Sequence, residues 1–439
     1  MINILDVEVC QKNDSTLSTN EIEELVKQEL EKLESVEVDF VISVDNWSNE
    51  LIKEHVESII CSCFGKKLET INKIDYSSMR FFVYRLTEED AATETMQNDS
   101  EELAVSSHWI LPCRDFYGLW ENLCYDSDIK EKLLKYVETT MMFADKNVNH
   151  NIITWNKVVL LHGPPGTGKT SLCKALAQKA AIRLNQKFTR GELVEINSHS
   201  LFSKWFSESG KLVMKLFTEI KILLEDPQSL VCILIDEVES LAHARKACIN
   251  GTEPSDSIRV VNSLLTQLDQ IKRYKNVLIM TTSNVTEAID LAFVDRADIK
   301  QYIGHPGEDA IAMIYYTCLK ELERTGLLKD DGSQDRSVDV EPYLKSDLVP
   351  TSVGLSGRTL RKIPFLAHAL HLNGIDQCTT SVFLHAMVKA VKNCKTEMLD
   401  LSDNELSLNS HQKKTNRQKS VIYRPELKVF LSVSLKSLV

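Results

Sequence analysis

Short hydrophobic runs and amphipathic periods divide the chain into a small leading module, a long alternating α/β region and a helical remainder. Ile2–Val9 has the composition of a strand. From Ser18 to Leu33, Ile22, Leu25, Val26, Leu30 and Leu33 recur with helical period, and Ser18 with Glu21 has the spacing of a capping box. Val36, Val38, Phe40, Ile42 and Val44 then alternate with polar positions, predicting one strand buried on one face. A second helix over about Ser48–Phe64 and a strand over about Met79–Leu86 complete the module, residues 1–86. Between Thr87 and Glu102 large apolar residues almost vanish, so residues 87–107 are expected to be a flexible linker.

Beyond it, Ile129, Leu133, Val137 and Met141 form one stripe of a helix over Asp126–Ala144. Apolar runs at Lys157–His162, Leu230–Ile235 and Asn276–Thr281 alternate with helical segments to about His305, the pattern of a parallel sheet covered by helices on both faces. Residues 108–305 therefore read as an α/β nucleotide-binding domain. Helical periods over Glu308–Leu328, Arg358–Leu372 and Ser381–Met398, with no strand between them, predict an α-helical subdomain over residues 306–399. The tail, 400–439, is polar, then basic at Lys413–Lys419, then apolar.

Composition narrows the function classes. With 43% hydrophobic and 26% charged residues the chain is an ordinary globular protein. Its net charge of -12 disfavours phosphate backbones and anionic membranes, so neither nucleic acid nor membrane is an expected partner. The 11 cysteines have no C-x-x-C spacing and are expected to be reduced thiols; Cys61 and Cys63, in the predicted second helix, read as small buried hydrophobes. No leader or bilayer-length apolar run is evident, which leads to the expectation of a nuclear and cytoplasmic protein.

The strongest chemical signal is Gly163, Pro164, Pro165, Gly166, Thr167, Gly168, Lys169, Thr170 and Ser171, which fits G-x-x-x-x-G-K-[ST] between a strand and a helix. Such a loop turns its backbone N–H groups onto phosphate oxygens at a helix N-terminus; the lysine neutralises phosphate charge and the threonine hydroxyl ligates Mg²⁺. The apolar strand ending in Asp236 and Glu237 supplies a carboxylate for the metal and a second to activate water. Asn284, closing the third run, and Arg296 beyond it are candidates to meet the γ-phosphate. Alone, Asn284 reads more often as a turn residue and Arg296 as a surface ion-pair partner.

The order of these motifs, with Gly357-Arg358 in the helical region, resembles a AAA+ ATPase. More narrowly, the segments Asn197–Lys211, Ile235–Ser240, Gly251–Asp256, Phe293–Tyr302 and Gly354–Lys362 resemble the pachytene checkpoint protein 2 family. That resemblance implies a P-loop AAA+ domain with a helical lid and a small α/β recognition domain, forming a homo-hexamer that uses ATP and Mg²⁺ to remodel HORMA-domain proteins through a HORMA-fold adaptor. It implies work in meiosis and the spindle checkpoint, at chromosomes or kinetochores. It assigns Lys169 and Thr170 to nucleotide and metal, Asp236 to metal and Glu237 to water activation. Asn284 and Arg358 become sensors and Arg296 a finger reaching the neighbouring subunit. Leu119 and Trp120 are expected beside the adenine, and Lys204, Trp205 and Phe206 in a pore loop that grips substrate. A AAA+ motor on nucleic acid, or on another protein, is the competing expectation, and a nucleotide-gated scaffold is disfavoured by Glu237 beside Asp236.

Overall fold

The computed structural model describes residues 4–44, 47, 49–63, 70–72, 78–98, 101–198, 209–240, 256–284, 289, 291–329, 344–372 and 377–400. By compactness it divides into two units, residues 1–318 with 353–361 and residues 319–352 with 362–439.

The leading module is a four-stranded sheet. Its central strand β1 (Ile4–Gln11) runs antiparallel to β4 (Val56–Cys63) and parallel to β6 (Ser78–Arg85), and β3 (Val41–Ser43) adds to the outside of β4. Helix α1 (Thr19–Leu30) carries the expected capping box, with Ser18 and Glu21 bonded reciprocally. It buries Ile22, Val26 and Leu30 with Leu5, Val7 and Val9. Two expectations need correction here. The single strand over Val36–Val44 is two: β2 (Ser35–Glu37) pairs with β5 (Thr70–Asn72) in a separate ladder, and β3 belongs to the main sheet. Asp39 between them takes φ 62, which turns the chain out of register. The helix over Ser48–Phe64 is one short helix, α2 (Glu50–His55), followed at once by β4. Ile59, Cys61 and Cys63 face the module core from a strand, and the run that looked helical is apolar because both faces of β4 are covered. The ten described cysteines are free, and burial pushes the Cys61 thiol up to about 12.

Residues 87–107 are not a loose linker. Strands β7 (Ala92–Asn98) and β8 (Glu101–Leu111) form an antiparallel pair, and β8 runs antiparallel to β10 (Arg190–Asn197), extending the main sheet. An edge hairpin is held chiefly by its backbone ladder, so polar composition does not distinguish it from a tether. The sheet's seven strands run β13-β9-β12-β11-β10-β8-β7, the first five parallel: β9 (Val158–His162), β11 (Ser229–Asp236), β12 (Val277–Ser283) and β13 (Ile299–Tyr302) with β10.

Alternate residues of the central strands face two separate cores. Val231, Ile233 and Ile235 pack beneath helices Ser209–Glu225 and Asp256–Ile271. Leu230, Cys232 and Leu234 pack beneath α4 (Ile129–Asp145) and α5 (Lys169–Arg183). Burial on both faces explains the unbroken apolar runs. This layering puts His162, Asn197, Asp236 and Ser283 at one edge of the sheet, where parallel α/β folds hold ligands.

Helix Glu308–Arg324 follows, and Gly357–His371 and a helix over 380–400 match the expected helical periods. The absence of strands does not hold: β14 (Leu328–Lys329) and β15 (Cys378–Thr379) form a short parallel ladder, too brief to give an alternating pattern. The first compact unit runs past residue 306 to Cys318 and takes in Val353–Arg361.

Candidate nucleotide site

Helix α5 begins at Lys169 directly after a loop whose glycines take conformations a side chain would oppose. Gly163 has φ 143, and a Cβ there would lie 2.1 Å from the Ile303 carbonyl oxygen. Gly166 has φ 76, and its Cβ would meet Ser356 Oγ at 2.8 Å. The loop thus closes against two other segments at once. Within it, Lys169 Nζ donates to the carbonyls of Gly163 at 3.0 Å and Pro164 at 2.7 Å, and Thr167 Oγ1 donates to Pro164 at 3.0 Å. Burial pulls the Lys169 ammonium below its usual range, opposed by the carboxylates of Glu239, Asp236 and Glu237.

Thr170 opens the helix facing β11, and its Oγ1 donates to Asp236 Oδ1 at 2.9 Å. The same oxygen accepts from the Thr282 hydroxyl. One carboxylate with neighbouring hydroxyls is a hard-oxygen donor set. It suits Mg²⁺, which keeps waters and substrate phosphates for the rest of its octahedron. Among the described residues no group of three His, Cys, Asp or Glu side chains gathers that could hold a metal ion by itself. The residues present fit a phosphate-borne cation.

The chain then turns sharply. Glu237 takes φ 57, its N–H donates to Thr282 Oγ1 at 3.2 Å, and its carboxylate Oε1 accepts from Asn284 Nδ2 at 3.3 Å. Its side chain is exposed, free to meet water. Ser198, fully buried, donates toward the carbonyls of Asp236 at 2.5 Å and Glu237 at 2.8 Å. Thr282, Ser198 and Glu239 were not assigned roles from sequence: each lies beside a recognised motif residue, but only the fold turns its side chain into the cluster.

A cavity of about 350 Å³ adjoins the loop, lined by Gly166, Gly168, Ser171, Tyr125, Ile303 and Arg358 among others. Arg358 is brought to the loop as expected, its backbone N–H donating to Gly166 O at 3.0 Å. Leu119 and Trp120 do not line this cavity; the residues just after them, Asn122–Ser127, do. Gly118 is left-handed at φ 68, and on helix α3 (Leu119–Asn122) both side chains are half-buried, packed against the core that α4 and α5 cover. There Trp120 lies under the ammonium groups of Lys130 and Lys179, 5.5 and 5.7 Å from its ring centroid.

Arg296 stands apart from this cluster within the chain. Its Nε and Nη2 meet Asp269 Oδ1 and Oδ2 at 3.0 and 2.7 Å, and Nη1 donates to Ala292 O at 2.9 Å. Lys204, Trp205 and Phe206 lie outside the described residues.

A phosphate loop opening α5, with Thr170 of that helix paired to Asp236 at the end of β11, and an Asn-held glutamate, on a 13-9-12-11-10 parallel core, define a AAA+ ATPase. The family model "ATPase family associated with various cellular activities (AAA)" matches residues 159–305. "TRIP13 N-terminal domain" matches residues 2–89, and "TRIP13-like, AAA+ ATPase lid C-terminal domain" matches residues 343–395. The Pachytene checkpoint protein 2 homolog of Homo sapiens is 49% identical over 399 residues, covering 88% of this chain and 92% of that protein. That of Xenopus tropicalis is 48% identical over 412 residues, covering 91% and 95%. Among solved structures, C. elegans PCH-2 superposes with a TM-score of 0.74 at 33% identity, covering 90% of this chain and 99% of that one. A chain of the E. coli MS115-1 HORMA:CdnC:Trip13 complex shares the fold at a TM-score of 0.51 and 18% identity, covering 65% and 94%. The chain belongs to the pachytene checkpoint protein 2 (TRIP13) family of AAA+ ATPases.

Proposed function

We propose that the chain is a homo-hexameric, ATP-driven remodeller of HORMA-domain proteins, engaging them through a HORMA-fold adaptor, in meiotic chromosome-axis control and the spindle checkpoint. The observation that carries this reading is similarity along both the recognition module and the motor: 48–49% identity spans about 90% of the chain. The related fold in a HORMA:CdnC:Trip13 complex points to the same substrate class. The net charge of -12 counts against a nucleic-acid track. Nuclear and cytoplasmic residence follows from that reading.

In this proposal the loop N–H groups and Lys169 bind the phosphates of ATP, and Thr170 and Asp236 hold Mg²⁺. Bound ATP supplies the γ-phosphoryl group that water attacks. Glu237 accepts the proton of that water at its carboxylate, and Asn284 keeps the carboxylate aimed by its 3.3 Å contact to Oε1. Arg358, seated against the loop, neutralises phosphate charge. Arg296 reaches a neighbouring copy's site in a head-to-tail ring, after leaving Asp269. Lys204, Trp205 and Phe206 grip the substrate chain, and residues 1–86 capture it. ATP turnover measured with a closed HORMA-domain complex, and separately with DNA, tests the reading. Stimulation by the HORMA complex is expected; stimulation by DNA alone would move the function to a nucleic-acid motor.

A further inference from the structure

After Asp236 the backbone folds back on itself. Val238 N–H donates to Thr282 O at 2.9 Å and Ser240 N–H to Glu237 O at 3.1 Å, which returns residue 239 to the end of β12. There Glu239 Oε1 accepts from the backbone N–H of Asn284 at 3.1 Å. Its other oxygen, Oε2, is buried and has no hydrogen-bond partner among the described residues. Nothing about the turn requires a charged side chain at this point: its backbone bonds are made by Val238 and Ser240. The carboxylate is therefore not needed to hold the turn: its charge acts on the Lys169 ammonium and its Oε1 reaches the Asn284 backbone.

We propose that Glu239 is a positioning residue for ATP hydrolysis, fixing the backbone of Asn284 so that the Asn284 amide holds Glu237 in its reactive orientation. The relay is short and continuous: Glu239 Oε1 to Asn284 N at 3.1 Å, then Asn284 Nδ2 to Glu237 Oε1 at 3.3 Å. Asn284 comes directly after the last residue of β12, Ser283, and the hydrogen bond its backbone N–H makes is to Glu239. Glu239 supplies that constraint from a residue two positions beyond the one being oriented. The inference rests on Glu237 being the group that activates water.

Two near-isosteric variants separate reach from charge. Glu239→Gln keeps an acceptor oxygen at the same reach and removes the charge; Glu239→Asp keeps the charge and draws the oxygen back by one methylene. Steady-state ATPase assays on the full chain should show Glu239→Asp losing roughly tenfold in kcat, with KM for ATP within about threefold, and Glu239→Gln losing less kcat than Glu239→Asp. Coupling to Asn284 is read from the double variant Glu239→Asp/Asn284→Ala, which should be no slower than Asn284→Ala alone. The proposal is overturned by parental kcat in Glu239→Asp, by a loss confined to KM, by a loss in Glu239→Gln as large as in Glu239→Asp, or by additive losses in the double variant. Glu237→Gln run alongside separates the two failures, because normal hydrolysis by that variant would remove the underlying assignment of Glu237 whatever Glu239 does.

Discussion

Glu8, on the central strand of the N-terminal module, lies 2.6 Å from Lys179 in the penultimate turn of the helix that begins with Lys169. The same carboxylate takes Arg183 Nε at 2.6 Å, and Glu8, Lys179 and Arg183 are almost wholly buried. Glu121 and Asp6 complete the cluster. Burial pushes the Glu8 carboxyl up, but the two cations outweigh it and hold the group below its ordinary value of 4.5. The module is thus docked on the motor by a buried ion cluster, beside an apolar seam of Cys10, Phe82, Tyr84, Leu86 and Ile182.

Removing Glu8 leaves two buried cations short of a partner, so Glu8→Ala should destabilise the chain by about 3 kcal/mol, measured by urea unfolding. A carboxyl with a depressed folded value contributes stability above its unfolded value and loses it as pH falls through the folded one. The gap between the parent and Glu8→Gln should therefore be constant near neutrality and close below about pH 4.5. A gap independent of pH down to 3 would count against the cluster.

This docking also marks where sequence reasoning stops. The phosphate loop, Asp236, Glu237 and the apolar strands were legible because each motif is local and its chemistry depends on spacing. Glu8 was not, since its partners arrive from 171 residues along the chain on a helix whose basic residues look solvent-facing. Residues 87–107 read as a tether because an edge ladder such as that of β7 and β8 leaves little trace in side-chain type.

Glu237→Gln should bind ATP as the parent does while hydrolysing it at least about 10²-fold more slowly, because the amide cannot take a proton yet Lys169, Thr170 and Asp236 are untouched. Fluorescent-nucleotide titration and phosphate release measure the two properties. Parental hydrolysis would remove Glu237 from the role.

Arg296→Ala should reduce hydrolysis by roughly 10³-fold if Arg296 acts on a neighbouring copy. Mixing Arg296→Ala with Glu237→Gln chains should then recover part of the activity, since some interfaces would pair an intact arginine with an intact glutamate. No recovery at any ratio would leave Arg296 as the internal partner of Asp269 alone.

Lys157 is nearly inaccessible, and its ammonium donates to the Tyr274 carbonyl. Burial, with Lys187 and Lys275 nearby, lowers it to about 8 from an ordinary 10.5. Between these values the unfolded chain binds the extra proton, so stability contributed here rises with pH. Relative to Lys157→Met, the parent should gain on the order of 2 kcal/mol between pH 8 and pH 10.5, read from paired unfolding curves. A constant difference would contradict the shift.

The central claim is that ATP hydrolysis by this chain does mechanical work on a HORMA fold. Incubating the purified protein with ATP and a preformed closed HORMA-domain complex, with its adaptor present, and following dissociation by native separation tests it most directly. The account predicts release that requires hydrolysable ATP and is absent with Glu237→Gln. A complex that stays intact while the protein hydrolyses ATP at its full rate would contradict it.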